Sequence, residues 1–100
     1  MILHTVNKSP FDTVAMNSCL AHCKPGSSLL LIEDGIYAAL KGAKYSDAVT
    51  NAMKDISVYV LSPDLEARGV QDRLLDGVKT VDYAGFVDLS VEHDKVQAWL

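Results

Sequence analysis

Residues 28–33 have the sequence SLLLIE, in which four aliphatic residues follow one another between polar ends. A short, continuous apolar run of this kind is typical of a strand covered on both faces, as in the middle of a parallel sheet. Residues 56–61, with the sequence ISVYVL, form a second such segment that is rich in β-branched and aromatic side chains. The two segments predict a sheet that has helices on both faces.

Strands and helices are predicted to alternate around these two segments along the whole chain of 100 residues. In order, the prediction has strand 1–6, a helix from Ser9-Pro10 to about Pro25-Gly26, strand 28–33, a short helical stretch at 36–40, a loop at 41–44, helix 46–54, strand 56–61, helix 62–68 ended by Gly69, strand 78–83, helix 84–92 and strand 96–100. Alternation of this kind predicts one α/β domain, 1–100, with a mostly parallel sheet of about five strands and right-handed crossovers.

The first helix has the clearest predicted start. Residues 9–12, with the sequence SPFD, offer an N-cap serine, a proline at the first helical position and an acid at the third. On a helical wheel from that start, Cys19 and Cys23 fall on the apolar half, with Asn17 and Lys24 opposite. The helix is therefore expected to turn both cysteines towards the core.

The charge and hydropathy of the chain limit the compartments and the classes of partner that are expected for it. The net charge is −4 and the lysines and arginines are scattered, which argues against direct nucleic-acid binding. No apolar run approaches the ~18 residues that cross a bilayer, and residues 1–10 lack the basic and apolar regions of a secretion signal. A cytoplasmic protein without membrane contact is expected. Apolar residues make up 49% of the chain, so some of them are expected to face a partner subunit.

The carboxyl ends of the predicted strands are where ligands bind in open parallel sheets. The first strand is followed by NKSP, which lacks the glycine-rich fingerprint of a dinucleotide site, so no cofactor is expected. Glu33 and Asp34 precede Gly35, and a turn in which the aspartate bonds backbone amides is favoured over a catalytic role. Because the three histidines are far apart in sequence, zinc binding by Cys19, Cys23 and a distant histidine has weak support, and no metal site is predicted.

Cys19 and Cys23 are four residues apart, which places them one helical turn apart on the same face. A disulfide between them is disfavoured because parallel Cβ vectors on a helix fit its geometry poorly, and in a reducing compartment both are expected to be free thiols. Packing as small hydrophobic residues is the simpler interpretation of both cysteines. If one of them is reactive, Cys19 is favoured, because the negative C-terminal end of the helix disfavours a thiolate at Cys23.

Five stretches taken together resemble DsrH, a subunit type of bacterial sulfur oxidation, and its relative TusB. They are ILHTVNKSPF at 2–11, EDGIYAAL at 33–40, YVLSPDLEARG at 59–69, VDYAGFVDL at 81–89 and VQAWL at 96–100. The resemblance covers the chain from end to end and implies a flavodoxin-like, three-layer fold. It also implies a heterohexamer with DsrE-like and DsrF-like subunits.

The function implied by the resemblance is the relay of sulfane sulfur as cysteine persulfide, without a cofactor. Sulfur would come from TusA-like or rhodanese-like carriers and pass towards a DsrC-like protein, and the principal acceptor cysteine of the family belongs to the DsrE-type subunit. DsrH-type chains carry a cysteine in the first helix, matched here by Ser18-Cys19-Leu20, so Cys19 is the candidate persulfide carrier. Cys23 is not part of that pattern. The alternatives are a purely structural subunit and a TusB-like subunit of the relay for wobble-uridine 2-thiolation of transfer RNA; a stand-alone enzyme is not expected.

Overall fold

The computed structural model describes residues 1–11 and 14–99 and shows five strands in one all-parallel sheet. The strands are β1 Ile2–Val6, β2 Ser28–Leu31, β3 Ser57–Leu61, β4 Lys79–Val81 and β5 Lys95–Trp99. Their order across the sheet is β4-β3-β2-β1-β5, so β1 lies between β2 and β5. The predicted α/β fold with about five parallel strands is confirmed.

Helical segments connect the strands. They are the α-helices α1 Ala15–His22, α2 Ser46–Ala52, α3 Ser62–Ala67 and α4 Tyr83–Glu92, and the 3₁₀ segments Glu33–Ala39 and Gln71–Arg73. Within the described part of the chain, no helix combines the length and the apolar character that crossing a membrane requires.

Two hydrophobic cores lie on opposite faces of the sheet. Because side chains alternate along a strand, Leu29 and Leu31 face the larger core and Leu30 faces the smaller one. The first three α-helices cover the larger core and contribute the buried side chains Met16, Cys19, Val49 and Leu65. The smaller core is formed by Leu3, Leu30 and Leu89, and α4 covers it. Helices therefore lie on both faces of the sheet, which confirms the predicted three layers.

The 3₁₀ segment after β2 approaches the end of β1 closely. Ile32 donates its N–H to the carbonyl oxygen of Val6 at 3.0 Å. A Cβ atom on Gly35 would overlap that same oxygen, so only glycine fits at this position. The contact fixes the path of the chain across the carboxyl end of β1.

The start of the first helix differs from the prediction. α1 begins at Ala15 and not at Pro10. Ser9 Oγ accepts a hydrogen bond from the N–H of Phe11 at 3.2 Å, so the serine closes a local turn two residues on instead of capping the helix. The acid predicted at the third helical position, Asp12, lies outside the described residues.

The boundary between the fourth strand and the fourth helix differs as well. β4 ends at Val81 and α4 begins at Tyr83, whereas the prediction continues the strand through Tyr83. Asp82 accounts for the earlier boundary, because its Oδ1 accepts a hydrogen bond from the N–H of Gly85 at 2.8 Å and caps the helix. Leu100, the last residue of the predicted fifth strand, lies outside the described residues.

His93, the residue that follows α4, is buried and joins this helix to the sheet. Its Nδ1 donates to the carbonyl oxygen of Leu89 at 2.7 Å. Its Nε2 lies 2.9 Å from the hydroxyl oxygen of Ser28 and, in the neutral ring, accepts a hydrogen bond from that hydroxyl. The imidazole therefore links the end of α4 to the start of β2.

Replacing His93 by alanine is expected to lower the free energy of unfolding by about 1–3 kcal/mol, because the buried Ser28 hydroxyl loses its partner. Urea denaturation followed by circular dichroism measures this change. His22→Ala is the matched control, since Nδ1 of His22 also bonds the carbonyl four residues back, at 2.7 Å, but on the exposed surface. We expect the control to lose less than about 1 kcal/mol. Equal losses in the two variants would contradict the role of His93.

Candidate functional site

Cys19 and Cys23 lie on the side of α1 that faces the larger core. Cys19 is fully buried, with 0% of its surface exposed, whereas Cys23 is half-buried. α1 ends at His22, and Cys23 has an extended backbone with φ −69° and ψ 124°. Its N–H still donates to the carbonyl oxygen of Cys19 at 3.0 Å, which holds Cys23 directly beyond Cys19. The helix therefore ends before the predicted Pro25-Gly26, and Cys23 is the residue at which the chain leaves it.

The two sulfur atoms are 3.8 Å apart, within hydrogen-bonding distance of each other. Either S–H can donate in this contact; a thiolate is better hydrated at the half-buried Cys23 than at the enclosed Cys19, and the S–H of Cys19 then donates to the sulfur of Cys23. This hydrogen bond, together with burial, raises the pKa of Cys19. The same hydrogen bond lowers the pKa of Cys23, although the partial burial of Cys23 acts in the opposite direction. Cys23 is therefore the thiol that ionises first.

The helix dipole alone predicts the opposite order of ionisation for the two thiols. The negative end of the helix disfavours a thiolate at Cys23, and this was the basis for favouring Cys19 from the sequence. The structure adds a hydrogen bond between the sulfurs and a difference in burial, and both were absent from the sequence pattern. The predicted carrier role of Cys19 is not decided by this order of ionisation.

His4 of β1 lies beside the two cysteines. Its side chain is buried, and a ring nitrogen and the two sulfurs all lie within 4.8 Å of one another. The indole N–H of Trp99 donates to His4 Nδ1 at 3.0 Å, so the proton of the neutral ring is on Nε2. Nε2 is buried and has no hydrogen-bond partner among the described residues. His4, Cys19 and Cys23, which we call the thiol–histidine cluster, therefore contain an unused N–H donor.

The imidazole of His4 is held in its neutral form. Burial lowers the pKa of His4, and the nearby His22 lowers it further. His22 is exposed, and its ring centroid lies 5.4 Å from that of Trp99. The fold thus brings two of the three histidines to Trp99. His93 is elsewhere, because it bonds Ser28 on the face of the sheet that α4 covers.

His4 and Trp99 were not identified from the sequence as site residues. Alternation along β1 places His4 and Val6 on the same face, and this signal is present in the sequence. Trp99 reaches His4 only because β5 pairs with β1 in parallel register, a contact between residues 95 positions apart. No local pattern predicts that contact.

Two surface cavities flank the thiol–histidine cluster. A groove of about 290 Å³ between α1 and α2 is lined by Cys23, by small and apolar residues, and by the polar side chains of Asn51 and Asp55. A second cavity, of about 320 Å³, lies beside β5 and is lined by His4, His22 and Trp99. The half-buried Cys23 lines the groove, whereas the fully buried Cys19 lines neither cavity.

The thiol–histidine cluster has the residue types of a zinc or copper site. Its sulfur separation of 3.8 Å suits two thiolates that are each about 2.3 Å from a tetrahedral metal. The third ligand does not fit, because Trp99 occupies the lone pair of His4 Nδ1 and Nε2 carries the proton of the neutral ring. The cluster therefore presents a hydrogen-bond donor where a metal needs a lone pair.

The acidic pair at the end of β2 has structural partners. Oδ1 of Asp34 accepts from Nε and Nη2 of Arg68 at 3.1 and 2.8 Å, which ties the 3₁₀ segment to α3. Glu33 donates its backbone N–H to the carboxylate of Asp64 at 2.7 Å. Asp34 thus bonds a side chain of the neighbouring helix and not the backbone amides of its own turn, because α3 brings the guanidinium of Arg68 within reach.

Comparison with known proteins places these features in context. Residues 8–96 match the family model described as DsrH like protein. The chain is 39% identical over 100 residues to Protein TusB of Escherichia coli O81 (strain ED1a), with 98% of this chain and 100% of that protein covered. The identity to Protein TusB of Shigella flexneri is also 39%, with the same coverage.

Solved structures show the same fold. The ychN protein of Escherichia coli superposes with a TM-score of 0.82 at 18% identity, covering 97% of each chain. A protein of unknown function from Methanobacterium thermoautotrophicum superposes with a TM-score of 0.72 at 16% identity, covering 97% of this chain and 96% of that one. At these identities the similarity concerns the fold alone.

In the native protein, Cys23 is expected to react with iodoacetamide while Cys19 stays unmodified until the protein unfolds, because Cys23 is the more accessible thiol and the one whose pKa is lowered. Cys19→Ala should slow the alkylation of Cys23 and move the midpoint of its rate to higher pH, since the lost S–H no longer stabilises the thiolate. Mass spectrometry of time courses at several pH values measures both effects.

Cys19→Ser is the matched control for this experiment, because a serine hydroxyl still donates a hydrogen bond and should keep the midpoint low. Faster alkylation of Cys19 than of Cys23 in the folded wild-type protein would contradict the assignment.

Proposed function

Because the chain belongs to the DsrH-like family and is TusB-like along its whole length, we propose that it is a subunit of a cytoplasmic sulfur relay that passes sulfane sulfur between proteins as cysteine persulfide. The family identified from the sequence resemblance is confirmed. The thiol–histidine cluster is the observation that carries the chemical part of the proposal. It contains two free thiols and an unused N–H donor, and persulfide exchange between thiols requires no cofactor.

Cys19 is the proposed persulfide carrier. Its place in Ser18-Cys19-Leu20 matches the cysteine that DsrH-type chains carry in the first helix. Loading forms a bond between the Cys19 sulfur and the outer sulfur of an incoming persulfide and breaks the sulfur–sulfur bond of the donor. Complete burial of Cys19 supports a holding role, because a persulfide there is shielded from the small thiols that would reduce it.

The presence of Cys19 supports a relay of the DsrEFH type, which acts in bacterial sulfur oxidation and passes sulfur towards a DsrC-like protein. TusA-like or rhodanese-like proteins are the proposed donors. The second candidate is a TusB-like role in wobble-uridine 2-thiolation of transfer RNA, and the identity to TusB proteins favours it. One experiment separates the two destinations. The loaded complex is supplied with a DsrC-like protein or with the acceptor of the thiolation relay, and the protein that gains sulfur is identified.

An apolar stripe on α4 supports assembly with DsrE-like and DsrF-like subunits in a heterohexamer. Tyr83, Val87 and Val91 are spaced four residues apart and share one side of the helix. They are 62%, 62% and 79% exposed, so the exposed side of α4 carries an apolar stripe next to the exposed acids Asp88 and Glu92. Three large apolar side chains in a row on a helix surface are typical of a contact with another protein.

Val87→Asp is expected to prevent co-purification of this chain with DsrE-like and DsrF-like subunits of the same organism, because a carboxylate at the middle of the stripe loses its hydration in the contact. Asp88→Asn is the matched control, since it changes the charge of the next exposed residue of α4 and leaves the stripe intact. Size-exclusion chromatography with light scattering measures the assembly. A Val87→Asp chain that still forms the full complex would show that the stripe is not the contact.

Incubating the purified complex with a persulfide donor is expected to add one sulfur atom to Cys19, and fragment-ion mass spectrometry between residues 19 and 23 locates that sulfur. Cys19→Ser should abolish the addition at this position and lower sulfur delivery to the acceptor. Unchanged assembly and unchanged delivery in Cys19→Ser would instead favour a purely structural subunit, with the chemistry on a partner cysteine.

A further inference from the structure

The burial of Cys19 creates a difficulty for its proposed role. Its sulfur is 0% exposed and lines neither surface cavity, so the persulfide of a donor protein cannot contact it directly. The half-buried sulfur of Cys23 is 3.8 Å away and lines the groove between α1 and α2. We propose that Cys23 is the entry thiol, which takes sulfur from the donor and passes it to Cys19, where the Nε2–H of His4 binds the persulfide anion. This inference rests on the proposed sulfur-carrier function.

Cys23 has the position and the activation that an entry thiol needs. Cys23 lines the groove at the point where the chain leaves α1, together with Leu20, the small side chains of Ala48 and Ala52, and the carboxylate of Asp55. The S–H of Cys19 donates to the Cys23 sulfur and favours its thiolate, which is the nucleophilic form. Cys19 thus prepares Cys23 for the first step while it keeps its own proton.

The first step transfers sulfur from the donor to Cys23. The Cys23 thiolate attacks the outer sulfur of the donor persulfide R–S–S–H, a new sulfur–sulfur bond forms, and the donor's own sulfur–sulfur bond breaks. The donor leaves as the thiolate R–S⁻, and Cys23 becomes Cys–S–S–H, whose protonated outer sulfur stays electrophilic for the next step. No net oxidation or reduction takes place, because one persulfide replaces another.

The second step moves the sulfur inward. The persulfide bond, about 2.05 Å long, places the outer sulfur on Cys23 within reach of the Cys19 sulfur, which starts 3.8 Å from the inner one. The sulfur of Cys19 attacks the protonated outer sulfur, the bond to Cys23 breaks, and the S–H proton of Cys19 passes to the leaving sulfur of Cys23. The new Cys19 persulfide then releases its own proton to solvent. The products are a Cys19 persulfide anion, a Cys23 thiol and one proton, so atoms, charge and oxidation state all balance. The reverse sequence returns the sulfur to the surface for the acceptor.

His4 offers a hydrogen-bond donor to the buried persulfide anion on Cys19. A persulfide anion in the core is costly unless a donor bonds it. The Nε2–H of His4 is a buried donor with no partner among the described residues, and a nitrogen of this ring lies within 4.8 Å of both sulfurs. Trp99 holds the ring in the tautomer that carries this proton. An otherwise unexplained buried N–H therefore has an acceptor once Cys19 is loaded.

The test uses the assembled complex in three forms: wild type, Cys19→Ser and Cys23→Ser. Each form is mixed with a rhodanese-like protein that carries sulfur as its persulfide, and fragment ions locate the added sulfur over time. We expect sulfur on Cys23 first and on Cys19 later in the wild type. Sulfur should be found on Cys23 alone, at the wild-type rate, in Cys19→Ser. In Cys23→Ser, loading of Cys19 should slow by more than an order of magnitude.

The possible results separate the inference from the function on which it rests. Loading of Cys19 at the wild-type rate in Cys23→Ser would overturn the entry role and leave the carrier function standing. An absence of sulfur on either cysteine in the wild type would overturn both. Formation of a Cys19–Cys23 disulfide with release of hydrosulfide would also overturn the inference, because it means that Cys19 attacks the inner sulfur and the cargo is lost.

A separate pair of variants tests whether His4 binds the Cys19 persulfide. His4→Phe keeps a ring in the core but removes the donor, and it should leave the loading rate of Cys23 unchanged while lowering the share of sulfur held on Cys19 at equilibrium by about tenfold. His4→Gln restores an N–H donor and should recover part of that share. An unchanged Cys19 share in His4→Phe, with assembly intact, would remove His4 from the proposal.

Discussion

The burial of β1 is the constraint on which the rest of this structure depends. β1 has a strand on each side and a hydrophobic core on each face, so a polar side chain on it must find partners inside the protein. His4 is such a side chain, and Trp99 provides one of the two hydrogen bonds that its ring can make. This requirement explains why β5, which is exposed along most of its length, ends in a tryptophan that packs against the larger core.

Among the described residues, Nε2 of His4 has no hydrogen-bond partner, and a nitrogen of the same ring lies within 4.8 Å of both thiol sulfurs. A buried N–H without an acceptor destabilises a fold by about 1–3 kcal/mol, and native proteins rarely keep one without a use for it. The two thiols differ in burial and in ionisation: Cys23 is half-buried and its pKa is lowered, whereas Cys19 is enclosed and its pKa is raised. One sulfur cannot be both accessible to a donor protein and shielded from solvent. In the proposed relay, Cys23 is the accessible thiol and Cys19 is the shielded one.

Much of this fold could be predicted from the sequence, because apolar runs such as 28–33 and the alternation of strands and helices are local signals. Helix starts were less predictable: the serine and proline at 9–10 form a turn of their own, and Asp82 caps α4 where a strand was expected to continue. The helical wheel correctly placed both cysteines towards the core. The ionisation order of the thiols depends on a sulfur–sulfur contact, and the tautomer of His4 depends on a residue 95 positions away, so no local pattern contains either.

The sheet separates the chemistry of this chain from its apolar stripe. The thiol–histidine cluster belongs to the core under α1 and α2, and the groove at Cys23 opens on that same face. The stripe of Tyr83, Val87 and Val91 lies on α4, which covers the other face. A subunit that contacts its partners through α4 therefore keeps the mouth of the groove free. Because the thiols and the stripe share no side chain and lie on opposite sides of β1 and β2, the proposed contact through α4 and the proposed docking of a sulfur donor at Cys23 use different faces of the sheet.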